Sequence, residues 1–415
     1  MAPRIPAFER EPYRRELDVE VLESGPASGG DPVSAILDDT IIYPEGGGQP
    51  SDRGWLGEAR VVAAERREGR IRHLLDRAVP TGPARLVVDW ERRHDHMQQH
   101  TAQHLLTAVA LARSGWATTA FHLGDEVSSI DLDTAPPGTE ELEALERAAL
   151  EEIHTNRRVK TRRVDRTELE RLLAGGEVRS RRLPAGHRGD VRLVEIEGLD
   201  VNTCGGTHVA SLAEIGTLKL LTVEAAHGGC RLGWVAGDRV RRRLAGNERT
   251  IHELRRLFET SAGELPAVAG LKLDQLRQAE RRRRGLEERY ATSVAERLAA
   301  ALGPTSAHFD DADGSFLQRV ARAYTAAGGD GVVLLTASGE RGDFFALATG
   351  ERSAIDLPRL GRTVAELLDG RGGGSGRLFQ GKAGSLAKRS EAVETVAGGA
   401  TALGDEAGEP AAPSD

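Results

Sequence analysis

The sequence predicts a multidomain α+β protein: a small N-terminal β-barrel, an α+β domain, a helical hairpin or coiled coil, and a small C-terminal α/β glycine-rich domain. Three observations predict it. Short apolar runs alternate with glycine-rich turns over residues 1–92, the pattern turns wholly helical over 241–303, and strand-like runs return among glycines over 304–400. The α+β domain then occupies 93–240. A tail, 401–415, carries Asp405, Glu406, Glu409 and Asp415 with no basic residue and reads as disordered.

In the first segment Leu17–Val21, Ala35–Leu37, Thr40–Tyr43, Ala59–Val62 and Leu86–Asp89 read as strands, and their spacing favours a small barrel. Between them Gly46, Gly47 and Gly48 precede Gln49 and Pro50. Glycines there let backbone approach a ligand, although a plain barrel turn needs no function.

The second segment opens with a helix over His96–Arg113 that carries His100 and His104. Spacing i, i+4 sets both imidazoles on one face, with Leu105, Val109 and Ala112 as core on the other. With twelve histidines in 415 residues, one such pair arises by chance roughly a third of the time, so alone it is weak. His96, one turn earlier, offers a competing pair. The second half is sharper: only two cysteines exist, and one, Cys204, stands four residues before His208 across Gly205 and Gly206. Three imidazoles and one thiolate are the set zinc prefers, and we expect one zinc ion on His100, His104, Cys204 and His208. Whether zinc would hold all four, or three and a water, is open in sequence.

Further along, Ala117–His122 and Val127–Asp133 read as strands and Thr139–Thr155 as an acidic amphipathic helix with Thr139 as its cap. Strands at 157–164 and 190–196 flank a short helix, Thr167–Leu173, and Thr217–Leu221 with Cys230–Val235 complete one sheet. Leu254, Leu257 and Phe258, then Leu273, Leu276, Leu286, Tyr290, Val294 and Leu298, recur at helical spacing and predict the hairpin. In the last domain Phe316–Ala327 and Thr363–Leu368 read as helices, and Gly331–Thr336 with Phe344–Thr349 as a strand pair. Gly370–Gly384 (GRGGGSGRLFQGKAG) reads as a structured loop.

A net charge of −8 argues against a generic nucleic-acid binder, and half of the excess sits in the tail. Basic clusters at Arg157, Arg158, Lys160, Arg162, Arg163 and at Arg179, Arg181, Arg182 either track a phosphate backbone or form a solvated charged face. Two distant cysteines, no apolar leader and no membrane-length apolar run place the protein in the cytoplasm, away from membranes.

Arg93 with Met97–Leu106 (MQQHTAQHLL), Asn202–Val209 (NTCGGTHV), Glu214–Lys219 (EIGTLK) and Tyr43–Gly54 (YPEGGGQPSDRG) together resemble the editing domain of alanyl-tRNA synthetase. They resemble equally the free-standing AlaX editing proteins, and the C-terminal extension is similar to their long type. The resemblance implies hydrolysis of the ester joining a wrong amino acid to tRNA(Ala), chiefly Ser-tRNA(Ala), with Gly-tRNA(Ala) as a second substrate. The need is physical: a pocket for alanine rejects serine poorly, because serine only adds a hydroxyl. It also implies that Thr118, Thr119 and His122 lie near the amino acid. Strand alternation lets one threonine face the pocket, and Thr119 is taken as that one. Gln49, with Gly46, Gly47 and Gly48, would meet the acceptor end. His122 and Asp125 are the candidate proton carriers, and sequence assigns no general base. The last domain resembles the C-terminal domain of the synthetase, which implies tRNA contact through Arg377 and Lys382 and a homodimer through the C-terminal region. The pattern departs from that domain at Ser375 and Lys382. With the barrel opening the chain, an ATP-using synthetase core is not expected. The alternatives are a tRNA-binding protein whose zinc is purely structural, and editing of Ser-tRNA(Thr).

Overall fold

The computed structural model describes residues 5–26, 33–179, 189–226, 228–301, 303–328, 331–350 and 353–401. The chain divides into two compact units, Met1–Glu253 and Leu254–Asp415. Arg181 and Arg182, and the tail beyond Thr401, lie outside the described residues.

The first unit begins with a one-turn helix, α1 (Ala7–Arg10), and six strands: β1 (Glu16–Pro26), β2 (Val33–Leu37), β3 (Gly54–Leu56), β4 (Ala59–Arg67), β5 (Arg70–Leu75) and β6 (Gly82–Val88). They close as a barrel in the order β1-β2-β5-β4-β3-β6. Alternate residues (Val19, Val21, Ala35, Val61, Leu75, Leu86) fill its interior, as a small closed barrel requires. Thr40–Tyr43, expected as a strand, is not one. Ile41 and Ile42 are fully buried in a connection whose backbone bonds to Asp52, so burial and not pairing explains its apolar run. Conversely β5 escapes a hydrophobic reading because Arg70, Arg72 and His73 break it.

A long helix, α2 (Trp90–Ser114), follows. Asp89 caps its start by accepting from the Arg92 amide at 3.2 Å, and Gly115, at φ 71°, ends it. Around it come β7 (Thr118–Leu123), β8 (Ser128–Leu132), α3 (Thr139–His154), β9 (Val159–Val164), α4 (Arg166–Ala174), β10 (Val191–Ile196), β11 (Asp200–Thr203), β12 (Leu218–Ala226) and β13 (Gly229–Ala236). The strands form two sheets, not one: β11-β10-β9 and β12-β13-β8-β7. Gly138, not Thr139, is the N-cap of α3. Met97, Leu105, Leu106 and Val109 join Leu145, Ile153 and Trp234 in one core, which wraps α2 on most sides; Ala112 stays exposed.

The helix α5 (Asp238–Phe258) begins in this unit, where Arg239, 5% exposed, donates to Asp95 at 2.6 Å and fixes its start to α2.

The second unit holds α6 (Leu265–Ala299), β14 (Thr305–Asp310), α7 (Gly314–Ala326), β15 (Val332–Gly339), β16 (Gly342–Thr349), α8 (Leu357–Leu367), β17 (Arg371–Ser375), β18 (Leu378–Ala383) and α9 (Arg389–Thr401). Its sheet runs β14-β15-β16-β18-β17, with β14 parallel to β15 and the other pairs antiparallel. Along β15, Val333, Leu335 and Ala337 pack beneath α7 and the end of α6. Val332 and Leu334 face α8 and α9. Of the stripe expected to make a coiled coil, Val294 is buried in this core, whereas Leu273, Leu276, Leu286 and Tyr290 are exposed, as are Leu254 and Leu257. The glycine-rich stretch is no loop: it forms the β17–β18 hairpin, in which Gly372, Gly374 and Gly381 approach facing backbone too closely for a Cβ.

Candidate metal centre

α2 carries His100 and His104 on one face, and the loop after β11 brings Cys204 and His208 to meet them. One nitrogen or sulfur from each of the four lies within 4.8 Å of the others. Cys204 Sγ stands 3.3 Å from His100 Nε2 and 3.3 Å from His208 Nε2. The ring centroids of His208 are 4.4 Å from those of His100 and 4.7 Å from those of His104. The three histidines are buried and Cys204 is half-buried.

Two devices bend the loop onto the helix. The buried guanidinium of Arg192 donates to the Cys204 carbonyl at 3.0 Å and the Gly206 carbonyl at 2.6 Å. Gly206 supplies room, since a Cβ there would stand 2.2 Å from His100 Cε1. Gly205 has nothing within 4 Å of such a position.

The donor set fits zinc. Tetrahedral zinc with bonds of about 2.3 Å to sulfur and about 2.0 Å to nitrogen separates those atoms by roughly 3.5 Å, close to the spacing found. Proton placement fits as well. Thr101 Oγ1 gives its proton to the Met97 carbonyl at 2.8 Å and accepts from the Val209 amide at 3.2 Å. His208 Nδ1, also 3.2 Å away, therefore donates, and its Nε2 lone pair faces Cys204. Burial, with His100 and His104 adding to it, holds the His208 pKa well below that of a free imidazole, which keeps the ring a neutral donor.

The cluster opens on a cleft of about 1180 Å³ whose lining includes Tyr43, Gln103, Thr107, Thr118 and Phe121. Gly46 and Gly47 also line it, and Gly48, at φ 84°, packs so close to Phe121 that a Cβ would stand 2.5 Å from the ring. Gln49, expected to meet a substrate, is 1% exposed and bonded to His100 and Thr207. Of the two threonines, Thr118 faces the cleft and donates to Thr107 at 3.0 Å. Thr119 does not: it is exposed, with its hydroxyl on the Asp131 carbonyl at 3.2 Å, and a β-bulge sits at its position. Alternation separates the two threonines as expected, but with the opposite one inward. His122 is exposed outside the cleft lining. Asp125 is paired with Arg92 at 3.1 Å, which holds its carboxyl below the usual range. Neither belongs to the four-residue cluster. His96 stays outside the cluster; it is buried and its pKa falls to about 4 by desolvation.

Arg157, Lys160, Arg162, Arg163 and Arg179 pair with Glu152, Glu197, Glu168, Glu9 and Asp200, and Arg163 and Arg179 also line the cleft. In the second unit, Arg377 donates to the Gly350 carbonyl and Lys382 lies 5.9 Å over the Phe344 ring.

Sequence reasoning missed Thr101, Gln103, Thr107 and Arg192. Thr101 and Gln103 lie within the histidine motif, and Thr107 is three residues past His104, on the same helix face. That spacing was the available signal. Arg192 sits mid-strand in an apolar run and gave none.

Among known proteins, the family described as threonyl and alanyl tRNA synthetase second additional domain matches residues 191–242. Alanyl-tRNA editing protein Aarsd1 of Danio rerio is 35% identical over 364 residues, covering 86% of this chain and 85% of that one. Alanyl-tRNA editing protein Aarsd1-A of Xenopus laevis is 34% identical over 403 residues, covering 92% and 95%. Alanine–tRNA ligase of Ignicoccus hospitalis is 29% identical over 387 residues, covering 89% of this chain but 40% of the ligase. A solved C-Ala domain from Aquifex aeolicus alanyl-tRNA synthetase matches 24% of this chain and 90% of that one, at 21% identity and a TM-score of 0.22, too slight a likeness to assign a fold. Similarity along almost the whole length of the Aarsd1 proteins decides the matter: the chain belongs to the AlaX-like family of alanyl-tRNA editing proteins.

Proposed function

We propose that this protein is a zinc-dependent hydrolase that deacylates mischarged tRNA(Ala) in trans, chiefly Ser-tRNA(Ala) and also Gly-tRNA(Ala), in the cytoplasm and without ATP. The observation that carries the reading is the convergence of His100, His104, Cys204 and His208 at the end of a cleft, in a chain whose relatives are named alanyl-tRNA editing proteins. Zinc held by this cluster would supply a Lewis acid once a water or the ester carbonyl takes one of its positions.

The chain's own residues do the rest. Gly46 and Gly47 leave backbone open to the acceptor end along the cleft. Thr118, supported by Thr107 and through it by Gln103, presents a hydroxyl to the amino-acid side chain. With its own proton on Thr107, Thr118 Oγ1 keeps a lone pair that a serine hydroxyl can donate to, a bond that alanine cannot make. The finer division of the chain at 92/93, 240/241, 303/304 and 400/401 belongs to the same proposal. So do tRNA contact through Arg377 and Lys382 and a homodimer through the C-terminal region.

Release of serine from Ser-tRNA(Ala), with Ala-tRNA(Ala) as control, tests the reading. His104→Ala is expected to lose zinc and deacylation while keeping tRNA affinity. Four protein ligands are also what a closed structural zinc site has. Full hydrolysis by metal-free His104→Ala would therefore leave zinc a structural role and remove it from the mechanism. Because the matching family includes threonyl synthetase domains, Ser-tRNA(Thr) belongs in the same assay. Faster release from it than from Ser-tRNA(Ala) would reassign the substrate.

A further inference from the structure

We infer that Gln49, carried on the barrel's glycine-rich loop, is a positioning residue that decides which nitrogen of His100 faces the metal, so that the barrel is a working part of the metal centre. The inference rests on the zinc site proposed above but not on the reaction assigned to it.

The deduction starts from a donor whose identity is fixed. The backbone N–H of Thr207 can only donate, and the atom it meets, 3.0 Å away, is Gln49 Oε1. Turning the amide over would set NH₂ against N–H, so the orientation follows from the backbone. The same Oε1 lies 2.8 Å from His100 Nδ1. An amide oxygen has no proton to give, hence His100 Nδ1 carries the hydrogen and its Nε2 is left with the lone pair. That Nε2 is the nitrogen 3.3 Å from Cys204 Sγ.

The rest of Gln49 holds this geometry. Its Nε2 donates to Thr207 Oγ1 at 2.9 Å, and its backbone N–H donates to the Gly46 carbonyl at 3.0 Å while its carbonyl accepts from the Gly46 amide at 3.2 Å. Its Oε1, with two lone pairs and two donors, has no acceptor capacity left for a substrate. Gly206 makes the contact feasible, since a Cβ there would lie 2.7 Å from Oε1. One side chain from the barrel thus ties a ligand on α2 to the loop bearing the two others, as outer partners of metal-bound histidines do.

Zinc affinity of the full chain, measured by competition with a chromophoric chelator, tests the inference. Gln49→Leu is expected to weaken zinc binding about 10–100-fold. Gln49→Glu keeps an acceptor for both donors and is expected to bind within a few-fold of the parent. Thermal melting of the metal-free variants checks the fold. Nitrogen-15 NMR of the His100 ring should show the Nδ1–H form in the parent and a mixture in Gln49→Leu. Parent-like zinc affinity in Gln49→Leu would overturn the inference, and a raised KM alongside it would return Gln49 to substrate contact. Equal loss of zinc in both variants with lowered metal-free melting would also overturn it, leaving Gln49 a packing residue. Failure of the parent to release serine would refute the editing reading, while the ratio of zinc affinities would still decide this one.

Discussion

Arg93 Nε donates to Asp52 Oδ2 at 2.8 Å with neither side chain exposed at all. Arg93 also donates to the carbonyls of Pro12, at 3.0 Å, and Ile41, while Asp52 Oδ2 accepts from the Tyr43 amide at 2.7 Å. A residue in the first turn of α2 therefore pins the barrel segment that carries Gln49, three positions before Asp52. Removing one partner strands the other charge in the interior. Arg93→Met is expected to lose roughly 3–5 kcal/mol of stability. All four tryptophans (Trp55, Trp90, Trp116, Trp234) lie in the first unit, so urea unfolding followed by their fluorescence reads it. A loss below about 1 kcal/mol would show that the pair is not what joins the barrel to the helix.

Gly205 and Gly206 are adjacent in the motif but differ in what surrounds them. A methyl at 206 would overlap His100 and Gln49, whereas one at 205 meets nothing within 4 Å. Gly206→Ala should displace His100 or the loop, and a misplacement near 1 Å is worth on the order of 10²-fold in rate. Gly205→Ala should keep near-parent zinc content and deacylation. Equal behaviour of the two variants would mean the loop is soft enough to absorb the clash.

How much of this was legible beforehand differs between site and fold. The ligand quartet was readable because each half of it is local: one turn of helix brings His100 over His104, and two glycines fold Cys204 toward His208. Gln49 was visible as a polar residue among glycines, but its role depends on Thr207, 158 positions away, which no local pattern encodes. Alternation fixes that Thr118 and Thr119 differ but not which one faces in, so the expectation of Thr119 inward has no local support, and the bulge beside it is invisible to a period-2 count. The segment at Ile41 and Ile42 passed for a strand because burial of a connection and burial of a strand leave the same apolar run. The C-terminal glycines passed for a loop because their reason, backbone-to-backbone approach within the β17–β18 hairpin, lies in the partner strand.

The two threonines separate a specificity contact from its neighbour. Thr118 lines the cleft and bonds to Thr107, while Thr119 bonds outward to the Asp131 backbone. Thr118→Val removes one neutral hydrogen bond to a serine hydroxyl, worth about 1 kcal/mol, and should lower kcat/KM for Ser-tRNA(Ala) by several-fold to tenfold. Gly-tRNA(Ala) has no hydroxyl to lose and should be little affected. Thr119→Val should leave the ratio of the two substrates unchanged. A shifted ratio in Thr119→Val alone would move the contact to the other face of β7.

The barrel holds a pH-sensitive residue, His73, which lines the cleft from the barrel side. His73 is 1% exposed, with Nε2 at 2.8 Å from Thr40 Oγ1 and Nδ1 at 3.3 Å from the Ala35 carbonyl, and burial lowers its pKa to about 4. Unfolded, the same side chain titrates near 6.5. Above pH 6.5 both states are neutral at this position and it contributes nothing to pH dependence. As pH falls from 6.5 toward 4 the unfolded chain takes up a proton that the native barrel refuses. Stability of the first unit therefore declines through that window, by about 1.4 kcal/mol per pH unit for this one group. His73→Gln should flatten the decline by that amount in urea titrations of the metal-free protein from pH 7 to 4.5, leaving the shares due to His96 and His208, both depressed chiefly by burial. An unchanged slope in His73→Gln would mean that the barrel opens locally to protonate His73 well above pH 4.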